Sequence, residues 1–149
     1  MNVESQPVVR VGVHDGLREP PVAGIDRDGA TVVVRLAGEL DLYNAHEVRA
    51  VLLDESGKGP ERLVVELSRV TFVDSTALGV LIEARAKLPN KQGFLVAGPQ
   101  VEARRALEVS GLDRHLGVYD SVDDALAAEL LWLRMSWIRS RGSTTRKVP

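Results

Sequence analysis

The stretch VTFVDSTALGVLIEAR, residues 70–85, sets one carboxylate and two hydroxyls, Asp74, Ser75 and Thr76, between an apolar strand-like run and an apolar helix-like run. Three chemistries draw on such a triplet. A hydroxyl activated by a neighbouring histidine acts as a nucleophile. Asp and Ser side chains cap a helix by accepting from its free amides. A hydroxyl at a helix N-terminus can also carry a phosphate, because the free amides and the helix dipole favour negative charge there.

The nucleophile reading lacks its supports. VDSTALG is not the Gly-x-Ser-x-Gly elbow, and nothing local supplies an oxyanion hole. The three histidines stand apart in the chain: His14 in an N-terminal arm, His46 at the start of a surface helix, His115 in a loop. With no cysteine, thiol nucleophiles, thiolate metal sites and disulfides are all absent. Glu39 and Asp41 offer oxygens, but no ligand cluster has zinc or calcium spacing. Neither GxGxxG nor GxxxxGK[ST] occurs. The expectation is a non-enzyme with no catalytic residue, no metal and no cofactor of its own.

Capping needs only one of the three residues. Placed after an apolar strand, the triplet lies at the carboxyl edge of a sheet, where open α/β sheets expose functional groups. The elements around it follow from pattern. Ile25–Arg27 and Thr31–Ala37 are β-prone runs separated by Asp28-Gly29, a hairpin signal. Gly38-Glu39-Leu40-Asp41 ends the second run. Asn44 and Glu47 have capping-box spacing ahead of a helix with Ala45, Val48 and Leu52 on one face. Leu63, Val64, Val65 and Leu67 read as a buried strand. From Ser75, Ala77, Leu81, Ala84 and Leu88 line one helix face, Gly79, Glu83 and Lys87 face away, and Pro89 stops the helix. Phe94–Ala97 is a strand, Gln100–Ser110 a helix closed by Gly111, and Val118-Tyr119 a last edge strand. Ser121 and Asp124 open a final helix through Ala128. The order β-β-α-β-α-β-α-β-α predicts an α/β domain with a mainly parallel sheet.

Length, at 149 residues, suits one domain. The net charge of −2 gives no global attraction to nucleic acid or anionic lipid. No run approaches the roughly 20 apolar residues of a membrane span, and MNVESQPVVRVGVHDG lacks the pattern of a signal peptide. The expectation is a cytoplasmic protein without direct nucleic-acid contact. Three segments emerge: a flexible arm at 1–21, in which Val9, Val11 and Val13 alternate; a domain at 22–128; and a helical, basic extension at 129–149. The extension carries Arg134, Arg139, Arg141, Arg146 and Lys147 with no acid beyond residue 129. Val122, Leu126, Leu130, Leu133 and Trp137 continue an apolar stripe into it, and Trp132, Trp137 and Ile138 suggest an apolar patch for self-association or a partner.

GELDLYNAHEV, LVVELSRVTFVDSTALGVL and SGLDRHLGVYDSVDDALA together resemble the STAS domain of bacterial anti-sigma factor antagonists, over about residues 22–128. The resemblance implies the STAS fold: a mixed four- or five-stranded sheet packed with about four helices. It also implies a role in regulating transcription through partner exchange. The partner would be an anti-sigma factor serine kinase that brings its own ATP and magnesium, and binding it would free a sigma factor. Phosphorylation of Ser75 would switch binding off and a phosphatase would reset it. Asp41 matches the family's acid near that site, and the partner surface would comprise Asp41, Asp74, Ser75, Thr76, Gly79 and Glu83. Ala77, where relatives often carry Gly, and Glu66, where they often carry Asp, depart from the pattern without removing the hydroxyl. The alternative is a STAS scaffold, or an accessory subunit of a signalling or transporter assembly.

Overall fold

The computed structural model describes residues 18–146. The chain order is β1 (Val22–Asp28), β2 (Thr31–Leu40), α1 (Ala45–Gly57), β3 (Arg62–Val73), α2 (Ser75–Lys87), β4 (Phe94–Ala97), α3 (Val101–Ser110), β5 (Gly117–Tyr119) and α4 (Val122–Arg146), with short 3₁₀ turns before β4 and β5. The five strands form one mixed sheet in the order β1-β2-β3-β4-β5. β1 and β2 form the antiparallel hairpin, turning at Gly29 with its φ of 60°, and the remaining pairs are parallel. The expected mixed α/β sheet is therefore present with five strands.

Spatial order equals chain order, so the β2-α1-β3, β3-α2-β4 and β4-α3-β5 crossovers all step in the same direction. Right-handed crossovers that step one way put their helices on one face. α1, α2 and α3 accordingly share a core with alternate strand residues: Val32, Val34 and Leu36 from β2, Leu63, Val65 and Leu67 from β3, Phe94 and Val96 from β4. The intervening residues Val64, Leu95 and Ala97 face the other way, against Ala125, Val122 and Leu126 of α4. The period of two in each strand thus feeds two cores. The strand order never reverses, so the sheet has no switch-point crevice of the kind that binds nucleotides. The void beneath α2 is small and lined by apolar residues such as Leu36, Leu40, Val73 and Leu78.

Several boundaries differ from the sequence expectation. The short run at 63–67 is part of a 12-residue strand that continues to Val73. Its pairing with β2 shifts register between Arg35 and Ala37 and again between Gly38 and Glu39, so the strand stays in the sheet despite exposed Ser68 and Arg69. The last four residues of the expected arm are held in place. Pro21 is buried and its carbonyl accepts from the Ala37 amide at 3.0 Å, Glu19 pairs with Arg69, and Arg18 reaches Asp41. The Val9–Val13 strand and His14 lie outside the described residues. The final helix and the helical extension from residue 129 are one element, because α4 runs past Ala128 without a break to Arg146.

Candidate functional site

The site forms where β3 hands over to α2. Asp74 is the N-cap: its backbone is extended, and its Oδ1 accepts from the Ala77 amide at 3.0 Å. The other oxygen, Oδ2, accepts from the Leu42 amide at 3.0 Å, while the Asp74 amide donates to the Leu40 carbonyl at 3.0 Å. One residue therefore caps α2 and ties the β2–α1 loop to it. Ser75 and Thr76 follow as the first helical residues, both exposed, and neither hydroxyl has a hydrogen-bond partner among the described residues. The carboxylate of the triplet is committed to structure and the hydroxyls are presented to solvent.

Asp41 sits in the loop that Asp74 holds. Its Oδ1 accepts from the Tyr43 amide at 3.0 Å and its Oδ2 from Arg18 at 3.0 Å; the same Arg18 nitrogen also donates to the Glu39 carbonyl at 3.2 Å. Asn44 does not cap α1 with its side chain, contrary to the capping-box expectation. Its Oδ1 accepts from the Asp41 amide at 3.0 Å and its Nδ2 donates to the Glu39 carbonyl at 2.8 Å. Buried Asn44 instead braces the turn that shapes the loop. The physical reason is position: with Asp41 three residues before it, the amide side chain finds backbone partners on the loop side before it finds the helix amides.

Gly79 and Glu83 lie one and two turns beyond Ser75, on the same exposed face of α2. A Cβ added at Gly79 would meet nothing within 4 Å, so this position is a flat stretch of open helix. Glu83 is not free. Arg49 of α1 grips it with two donors, Nε at 2.9 Å and Nη2 at 2.6 Å. The hydrogen bonds and charge of Arg49 hold the Glu83 carboxyl below its usual range, with a smaller contribution from Lys87. Asp41, Asp74, Ser75 and Thr76 thus share one end of the sheet, whereas Glu83 belongs to a clamp between α1 and α2.

Three residues escaped the sequence reading. Leu42 and Tyr43 are 67% and 77% exposed at the tip of the loop pinned to Asp74. Ile82, 49% exposed, shares the Ser75–Gly79 face. The signal was present for the first two: a Leu-Tyr pair between a strand-ending Asp and a helix-starting Asn has no core to enter. Together they make an apolar rim beside a polar, hydroxyl-bearing tip. Such a surface suits a protein partner, with aromatic and aliphatic anchors near exposed polar groups. Among the described residues, no group of three or more His, Asp or Glu is placed to hold a metal ion, and no helix is long and apolar enough to cross a membrane.

A model of the STAS domain matches residues 21–125, the sheet and all the elements that build this site. The chain belongs to the STAS domain family. It is 36% identical over 99 residues to an anti-sigma F factor antagonist of Paenibacillus polymyxa, covering 64% of this chain and 83% of that protein. The crystal structure of an anti-sigma factor antagonist from Mycobacterium paratuberculosis is similar with a TM-score of 0.66 at 31% identity, over 70% of this chain and 89% of that one. A sulfate transporter family protein from Wolinella succinogenes is also similar, with a TM-score of 0.58 at 25% identity, over 70% of this chain and 88% of that one. The STAS match ends at residue 125, so most of α4 lies beyond it.

Proposed function

We propose that this protein is an anti-sigma factor antagonist that binds an anti-sigma factor serine kinase through the Ser75 tip and thereby releases a sigma factor. Phosphorylation of Ser75 switches it off. The observation that carries the reading is the division of labour at the junction: Asp74 is spent on the cap and the loop, while the Ser75 hydroxyl stands exposed and unengaged at the first turn of α2. The names of the relatives support the general role. The partner kinase supplies ATP and magnesium, and this chain supplies the acceptor, the Leu42–Tyr43 rim and the Gly79–Ile82 face. A phosphatase resets the switch in the cytoplasm.

The switch works through charge. A phosphate adds about 1.5 to 2 negative charges at neutral pH. The start of α2 offsets part of that, by about 1 kcal/mol or less at an exposed site. The fold therefore tolerates the modification, but a partner seated on the tip must desolvate the dianion beside Asp74. A loss of about 3 kcal/mol weakens affinity roughly a hundredfold.

The test is a pull-down from the native cell under ATP depletion, followed by phosphate mapping with the recovered kinase. Capture of an ATP-binding serine kinase that modifies Ser75 supports the reading. Capture of transporter subunits instead, in keeping with the similarity to the transporter family protein, would establish the scaffold reading. Phosphate on Thr76 with Ser75 unmodified would move the switch by one residue.

A further inference from the structure

α4 leaves the domain after its first two turns. Val122, Ala125 and Leu126 pack on the sheet, but Leu130, Leu131, Met135 and Ile138 are each more than half exposed. Leu131, Met135 and Ile138 recur at i, i+4 and i+7, the spacing of one seam along a helix. A helix draws most of its stability from a packed apolar face, so a seam of this kind implies a cover.

The two ends of α4 differ in sign. Asp123 and Asp124 occupy its first turn, and Arg139, Arg141 and Arg146 its last turns, with no acid beyond residue 129. An occupant that matches both the seam and the reversal of charge is the same helix running the other way. We infer that α4 pairs antiparallel with α4 of a second copy, forming a two-fold dimer independent of the Ser75 site. With the axis at residue 133, Leu131 of one copy stands level with Met135 of the other, and Ala128 with Ile138. Asp124 then stands level with the turn carrying Arg139 and Arg141. A parallel pair would instead stack the basic ends on each other, which is the kind of like-charge juxtaposition that selects orientation. The contact is self-complementary and closes at two copies, so it does not grow into filaments. An anionic membrane would take the basic end but leave the acidic turn unmatched.

Sedimentation of the full chain over a concentration series tests the pairing. The parent is expected to reach the mass of a dimer, and Leu131→Asp to weaken association by about tenfold or more. Asp123→Lys with Asp124→Lys, and separately Arg139→Glu with Arg141→Glu, should each weaken self-association by a similar factor. An equimolar mixture of those two variants should recover the association of the parent, because each restores the opposite charge for the other. The chain has no cysteine, so Ala128→Cys mixed with Ile138→Cys should cross-link as a mixed disulfide in preference to either alone. A parent that stays monomeric would overturn the inference, whether or not it floats with phosphatidylserine vesicles. So would cross-linking of each cysteine variant chiefly to itself, or a dimer that survives Leu131→Asp.

Discussion

At the scale of residues, the junction separates holding from presenting. The Asp74 carboxylate accepts two hydrogen bonds that fix the tip, from the Ala77 and Leu42 amides, so its loss is a structural event. Asp74→Ala should lower unfolding free energy by about 1 to 2 kcal/mol, the cost of a lost cap with a loosened loop. Urea titration reads this as a lower midpoint at unchanged slope. Ser75 makes no such contacts, so Ser75→Ala and Ser75→Asp should both fold with parent stability within about 0.5 kcal/mol. They should differ only toward the kinase: Ser75→Ala binds and cannot be modified, while Ser75→Asp binds at least about tenfold more weakly. Calorimetry on both variants, with phosphate mapping by mass spectrometry, checks the pair. A Ser75→Asp variant that binds as tightly as the parent removes the charge mechanism.

At the scale of elements, α2 carries its weak point on the face proposed for docking. Glycine in a helix interior costs about 0.5 to 1 kcal/mol relative to alanine, and Gly79 has open space around it. Gly79→Ala should therefore raise stability by roughly that amount and, on the proposed function, weaken kinase binding, because a methyl group now stands on the proposed docking face. A gain in stability with unchanged affinity would place the kinase elsewhere. The Arg49–Glu83 clamp joins α1 to α2 and gives a pH signature. Glu83 has a folded-state pKa below its ordinary 4.5, so the clamp contributes above that pH and is lost as pH falls through the depressed value. Glu83→Gln should unfold at a slightly lower temperature than the parent at neutral pH, and the gap should close as pH falls from 4.5 through the depressed value. Thermal melts by circular dichroism across that range measure it.

The same elements show how far pattern alone reaches. The apolar runs and the Asp74 cap made the β3–α2 junction readable, because a strand period gives way to a helix period at a residue able to cap. Gly111, with its φ of 79°, closed α3 where expected. Two features were not readable. Asn44 has the composition of a cap, yet its choice between helix amides and the loop backbone depends on where Asp41 and Glu39 lie in space. Arg49 and Glu83 are 34 residues apart, so only the crossover geometry brings them together. Leu42 and Tyr43 carried a signal that was legible in principle, as apolar residues inside a polar turn, but strand and helix periodicity ignores loops. The seam of Leu131, Met135 and Ile138 was hidden by the neighbouring stripe through Leu130 and Trp137, since that segment is apolar on more than one side.

At the scale of the whole molecule, two cores of unequal size share one sheet. The large core lies under three helices, whereas the small one depends on the first turns of α4 around Ala125, which is fully buried. Stability and the inferred pairing therefore draw on different parts of the same helix. Truncation after Ala128 keeps Val122, Ala125 and Leu126 over Leu95 and Ala97, so the domain should still unfold in one cooperative transition. Ala125→Asp should not be tolerated in the same way, because it buries a charge against that face. Under the inferred pairing, α4 beyond Ala128 contributes by mass action only, stabilising the folded state in proportion to the logarithm of concentration. The full chain should then melt at a temperature that rises with protein concentration, the truncated chain at one that does not, and the two should converge on dilution. Differential scanning calorimetry over a concentration series measures this directly. A truncated chain that melts far below the parent even at high dilution would show that the outer turns of α4 hold the fold itself, and that its exposed seam packs within one molecule.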